Sequence, residues 1–111
     1  MPKRTQEELE VLQELILKHL LNVRMIILYG SYARGDYVIW DESYDEHGVL
    51  TYYQSDLDIL VICDTGDPNK TESFARSLVL PQYEKQMRGR RHPTPPQIIV
   101  ENTSGINRAI R

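Results

Sequence analysis

Apolar positions change their period several times along this chain, and each change marks an element. Leu9, Leu12, Ile16 and Leu20 recur at helical spacing behind Thr5-Gln6-Glu7-Glu8, which has the form of a capping box. The pattern therefore predicts an amphipathic helix over about residues 6–21. Val23 to Tyr29, "VRMIILY", is a nearly continuous apolar run closed by Gly30, as expected of a strand buried on both faces. Ser31 to Arg34 starts a short helix that Gly35-Asp36 stops. "SDLDILVI" (Ser55 to Ile62) supplies a second central strand. From about Lys70 to Met87 the period is helical again, with Phe74, Leu78 and Tyr83 expected inside and Pro81 expected to kink or split the helix. "HPTPP" reads as an extended linker and "QIIVE" as a third strand. "NTSGINRAIR" begins a further helix with Ile106, Ala109 and Ile110 on one side.

Between the first two strands lies an insertion, about residues 37–54, in which Tyr37 to Trp40 and Val49 to Tyr53 are β-rich and flank an acidic tip containing His47-Gly48. It reads as a β-hairpin. Six of the seven tyrosines fall between Tyr29 and Tyr53, and Trp40 joins them, so aromatic surface is concentrated in this arm. A two-stranded ribbon with little core needs aromatic cross-strand pairs, and the same rings could dock a partner or stack on bases.

With 41% hydrophobic and 26% charged residues over 111 positions, the chain suits one domain with one core, 1–111. The abrupt end at "INRAIR" suggests the N-terminal part of a longer natural chain. A formal net charge of −3 does not indicate a nucleic-acid binder, so any such role must rest on a local patch. Lys85, Arg88, Arg90, Arg91 and His92 form the one basic cluster, either a solvated helix end or a patch for RNA, phosphate or a partner. Cys63 is the sole cysteine and excludes an internal disulfide, which points to the cytoplasm. No apolar run approaches the roughly 20 residues of a spanning helix, so no membrane is expected.

The chemistry is concentrated in two stretches. Side chains alternate along a strand, so Asp56 and Asp58 project from one face with Cα atoms about 6.6 Å apart. Two carboxylates at that spacing can converge on a divalent cation. Such a pair by itself often just solvates a strand end. Gly30-Ser31, closing the first strand, lets backbone approach a ligand closely and offers a hydroxyl and amides at the start of a short helix, where phosphate can sit. A Gly-Ser turn taken alone is usually only a turn. His19 and His47 show no metal-ligand spacing with Cys63 or with each other, and no serine or cysteine has a recognisable base partner.

"LYGSYARGD" followed by "SDLDILVI" resembles the signature of the minimal nucleotidyltransferases, the MNT branch of the DNA polymerase β-type superfamily. The resemblance covers almost the whole chain. It implies an α/β (α+β) fold with a small mixed β-sheet flanked by helices, here with an inserted hairpin. It also implies that Gly30 and Ser31 contact a triphosphate, that Asp56 and Asp58 bind Mg²⁺ (or Mn²⁺), and that a nucleoside monophosphate passes from an NTP, ATP first among them, to an acceptor hydroxyl. Arg34 sits where a cation could offset phosphate charge, though it also neighbours Asp36. Such domains commonly accompany HEPN-domain proteins, which they restrain by binding or by adenylylation. Two departures stand out. The spacer between Ser31 and Asp56 is 24 residues, expanded by the hairpin, and the third carboxylate expected at the head of the third strand is replaced by Gln97. Gln carries no negative charge and cannot take a proton as a carboxylate does, which puts catalysis in doubt and keeps open a silent, antitoxin-like binding module. Glu101 shares the Gln97 face but is expected about 13 Å further along.

Overall fold

Residues 1–103 are described by the computed structural model of the chain. Its elements run α1 (Lys3–His19), β1 (Val23–Tyr29), α2 (Gly30–Arg34), β2 (Asp41–Tyr44), β3 (Leu50–Tyr53), β4 (Leu57–Cys63), α3 (Pro68–Gln86) and β5 (Pro96–Asn102). β1, β4 and β5 form a mixed sheet in the order β1-β4-β5, with β4 antiparallel to β1 and parallel to β5. β2 and β3 pair as the separate hairpin. This is the expected α/β class with a small mixed sheet. The further helix expected around Ile106, Ala109 and Ile110 lies outside the described residues.

β4 occupies the centre because its odd positions are apolar. Leu57, Ile59, Val61 and Cys63 are fully buried on one face. There Ile59, Val61 and Cys63 meet Ile98 and Val100 of β5, Leu12 and Ile16 of α1, and Val79 and Tyr83 of α3 in one core. Each such aliphatic side chain contributes roughly 1.5–3 kcal/mol by leaving water. The even positions, Asp58 among them, belong to the opposite face of the sheet. The outer edge of β5 is closed by α3: Arg76 donates to the Ile98 carbonyl at 3.1 and 3.2 Å, and the Val100 amide donates to Glu72 at 2.8 Å. Side chains thus take up groups that would otherwise template another strand.

Several local expectations need correction. α1 starts at Lys3 with Pro2 as its cap and no side-chain cap bond, so Thr5 and Glu8 do not form a capping box. Both are buried instead, and Glu8 accepts from the Thr94 amide at 2.9 Å and the Thr94 hydroxyl at 3.0 Å, tying the helix to the linker before β5. A buried carboxylate needs such partners, and this demand overrides capping. β1 is an edge strand with half-buried and exposed positions rather than one buried on both faces. The hairpin's first strand is Asp41–Tyr44, not Tyr37 to Trp40. Tyr37 instead stacks on Tyr32, Val38 is bonded to Ser55, and Trp40 stacks on Tyr52 and His92. α3 is one helix with Pro81 inside it. Pro81 and Ser77, whose carbonyl loses its helical donor, are both exposed, where a missing helical bond is least costly. Phe74 is 51% exposed and Leu78 only half-buried, because Ala75, Val79, Tyr83 and Met87 supply the inner face.

Candidate functional site

The antiparallel register of β1 and β4 sets Tyr29 opposite Asp58, which places the next residue, Gly30, against that carboxylate. Gly30 has φ +74°, and a Cβ built there would run into Asp58 Oδ2 and stand 3.0 Å from its Cγ. Only glycine combines that left-handed backbone with so close an approach. The Gly-Ser turn and the paired aspartates, 24 residues apart in sequence between Ser31 and Asp56, are therefore brought into one place.

Asp58 is half-buried and Asp56, just ahead of the first residue of β4, is exposed. The segment carrying Asp56 is held from both sides. Ser55 and Val38 exchange two bonds of 2.8 Å, and the Leu57 amide donates to the Pro95 carbonyl at 2.8 Å. Burial pushes the Asp58 carboxyl above its ordinary value, the neighbouring Asp56 charge pushes it further, and Arg34 opposes both. Arg34 also pairs with Asp36 at 3.4 Å, so it faces its local acid and is felt at the site as well. Tyr29 is raised too, chiefly by burial and then by the charges of Asp58 and Glu72.

No family model, curated protein or solved structure matches the chain. What the site can do has to follow from its own groups.

In the parallel register of β4 and β5, Gln97 stands directly beside Asp58 on the same face, whereas Glu101 registers with Ile62 at the far end. Among the described residues no group of three or more His, Cys, Asp and Glu side chains is placed to hold a metal ion. Two carboxylates whose mutual repulsion raises one of them nonetheless suit a divalent cation. Mg²⁺ is commonly held by one or two carboxylates while phosphate oxygens and water complete its octahedron. Asp56 and Asp58 would supply those carboxylates, with the Gln97 carbonyl as a neutral third oxygen. Cys63 is buried at the other end of β4, its thiol pushed up chiefly by burial. Among the described residues no helix is long and apolar enough to cross a membrane.

Three further residues take their places only through packing. Tyr32, next to Ser31, is buried and stacks on Tyr37 at 4.6 Å, pinning α2 under the site. Its hydroxyl finds no hydrogen-bond partner among the described residues. Ser55 is buried and clamps the hairpin base. Trp40 is sandwiched between Tyr52, at 5.1 Å, and His92, at 3.5 Å. The first could have been suspected from the density of tyrosine after Gly30. Ser55 has no local signal, and Trp40 was legible as part of the aromatic arm while its pairing with His92 was not.

Proposed function

We propose that this chain is a nucleotidyltransferase-type domain of the MNT kind, which binds a nucleoside triphosphate, ATP first among them, with Mg²⁺ or Mn²⁺ and transfers a nucleoside monophosphate to an acceptor hydroxyl. The observation that carries the reading is the contact of Gly30 with Asp58. It sets a turn of the kind that accommodates phosphate beside one carboxylate of the aspartate pair. When bound at Asp56 and Asp58, the cation supplies charge neutralisation for the triphosphate and the leaving pyrophosphate. Gly30 admits phosphate close to the backbone, the Ser31 hydroxyl and nearby amides orient it, and Arg34 adds positive charge on the same side. The acceptor oxygen forms a bond to the α-phosphorus as the bond to the bridging oxygen breaks, and pyrophosphate leaves with that electron pair. The acceptor's proton passes to water, since Gln97 has no basic oxygen to receive it.

The same Gln97 favours a second reading, a catalytically silent module that restrains a HEPN-type partner by contact. The exposed rings of Tyr44, Tyr52 and Tyr53 on the hairpin supply a surface for it. Calorimetry with Mg²⁺ and each of the four NTPs, followed by labelled-ATP transfer to a HEPN-type partner, tests both. The transferase reading expects uptake of at least one triphosphate and label transfer that Asp58→Asn abolishes. Uptake of none, or transfer unchanged in that variant, defeats it. Partner silencing that persists in Asp56→Asn/Asp58→Asn without label transfer selects the binding module.

A further inference from the structure

Positive charge is unevenly compensated. Arg4, Arg24, Arg34, Arg76 and Arg90 each face a carboxylate within 4.0 Å. Among the described residues the arginines without one are Arg88 and Arg91, three positions apart in the turn that follows α3. In a chain of net charge −3, the uncompensated guanidinium groups among the described residues thus collect in a single turn.

That turn is held in a defined shape. Gly89 and His92 take left-handed backbone, at φ +89° and +51°. The His92 carbonyl accepts from Arg4 of α1 and from Gln54 at the hairpin base, and Gln54 also donates to the Pro93 carbonyl at 3.3 Å. The His92 ring lies on Trp40, with planes 12° apart. Beneath the turn is a cavity of about 420 Å³ with Arg88 and Arg90 on one wall, Pro93 to Pro96 on the other, and Glu84 as its one carboxylate. Arg90 is engaged by Glu7 at 3.3 Å, so Arg88 and the adjacent Arg91 are the groups left to meet an anion. The proline wall runs directly into Gln97, the cross-strand neighbour of Asp58. The cavity and the aspartate pair therefore share one end of the sheet.

We propose that this turn and its cavity bind the phosphodiester backbone of a single-stranded nucleic acid, which serves as the acceptor of the transfer. The binding surface stands by itself, while the acceptor role rests on the transferase reading. Two free arginines on a rigid turn match a short run of phosphates, and the outer face of Tyr52, 67% exposed, offers a stacking surface beside them. Glu42, which accepts from Trp40 Nε1 at 2.9 Å and pairs across the ribbon with Tyr52, repels phosphate together with Asp45 and Glu46 at the tip, so the backbone is held on the His92 side of the stack. A duplex would need a far broader basic surface than this.

Fluorescence anisotropy with labelled oligouridylate and oligothymidylate of about ten nucleotides, at 50 and 200 mM salt, tests the proposal. The expected result is micromolar binding at low salt that Arg88→Ala/Arg91→Ala weakens at least about ten-fold, with the salt slope flattened by about 1.4, two phosphates at roughly 0.7 each. Trp40, the single tryptophan, reports on the same event by a change in its emission. Arg24→Ala, which removes an arginine paired with Asp64 at the opposite end of β4, leaves binding unchanged. Uptake of Mg²⁺ and ATP by the Arg88/Arg91 double variant stays at the parental level, which keeps failure of the triphosphate site distinct from failure of this one. Absence of oligonucleotide binding at 50 mM salt, or binding that the double variant retains within about two-fold, overturns the proposal. Capture of a protein partner at this turn in place of oligonucleotide overturns it equally.

Discussion

Replacing Gly30 by alanine tests the central contact directly. At φ +74° an L-residue takes on left-handed strain of roughly 1–2 kcal/mol. The new Cβ also meets the Asp58 carboxylate, with Asp58 Cγ at 3.0 Å and Cβ at 3.3 Å. The Cβ belongs to a central strand and cannot retreat, so the carboxylate must rotate off its preferred rotamer, at roughly 0.5–1.5 kcal/mol. Gly30→Ala is therefore expected to lose about 2–3 kcal/mol, a large part of the 5–15 kcal/mol typical of a domain and about 10 °C in Tm. Gly35 is the natural comparison, because its φ is +91° but nothing lies within 4 Å of a built Cβ. Gly35→Ala should show the backbone strain alone, about 1–2 kcal/mol. Urea unfolding followed by circular dichroism, with EDTA present, measures both. In the Asp58→Ala background the Gly30→Ala loss should shrink by about 1 kcal/mol, the part owed to the carboxylate. An equal loss in both backgrounds, or a Gly30→Ala effect below about 0.5 kcal/mol, refutes the contact and with it the pairing of the turn with Asp58.

Asp58 itself makes stability depend on pH. Its folded-state carboxyl is raised by burial and by Asp56. The folded chain thus holds this proton to higher pH than the unfolded chain, and the group's contribution to stability is present at low pH and lost as pH rises through the folded value. Metal-free Asp58→Asn is accordingly expected to exceed the parent in urea midpoint at pH 7 and to converge with it near pH 4; a gap that widens on acidification contradicts the shift. Gln97→Asp places a third carboxylate one strand spacing from Asp58, which should lower metal-free stability and tighten Mg²⁺ binding roughly ten-fold, read as a larger rise in Tm on adding Mg²⁺. An Mg²⁺ response equal to the parent's means that Gln97 does not stand beside the pair.

Order and type of the elements were readable from the chain because periodicity is a local property. Apolar residues every third or fourth position mark α1 and α3, and the apolar runs mark β1, β4 and β5. Strand alternation accounts for Asp58 pointing away from the core, while Asp56 lies just ahead of β4. The capping-box form of Thr5 to Glu8 misled because the Thr94 bond to Glu8 is a tertiary fact that outweighs local preference.

The meeting of Gly30 with Asp58, the place of Gln97 beside them and the stacking of His92 on Trp40 depend on which strands pair and in what register. A slip of one residue would turn Asp58 into the core and Ile59 out of it. That register is selected by burying Ile59, Val61 and Cys63 together against α1 and α3, a condition on the whole fold that no local stretch of chain contains. Composition and spacing could therefore name the chemical groups, while packing of the core determined which of them touch.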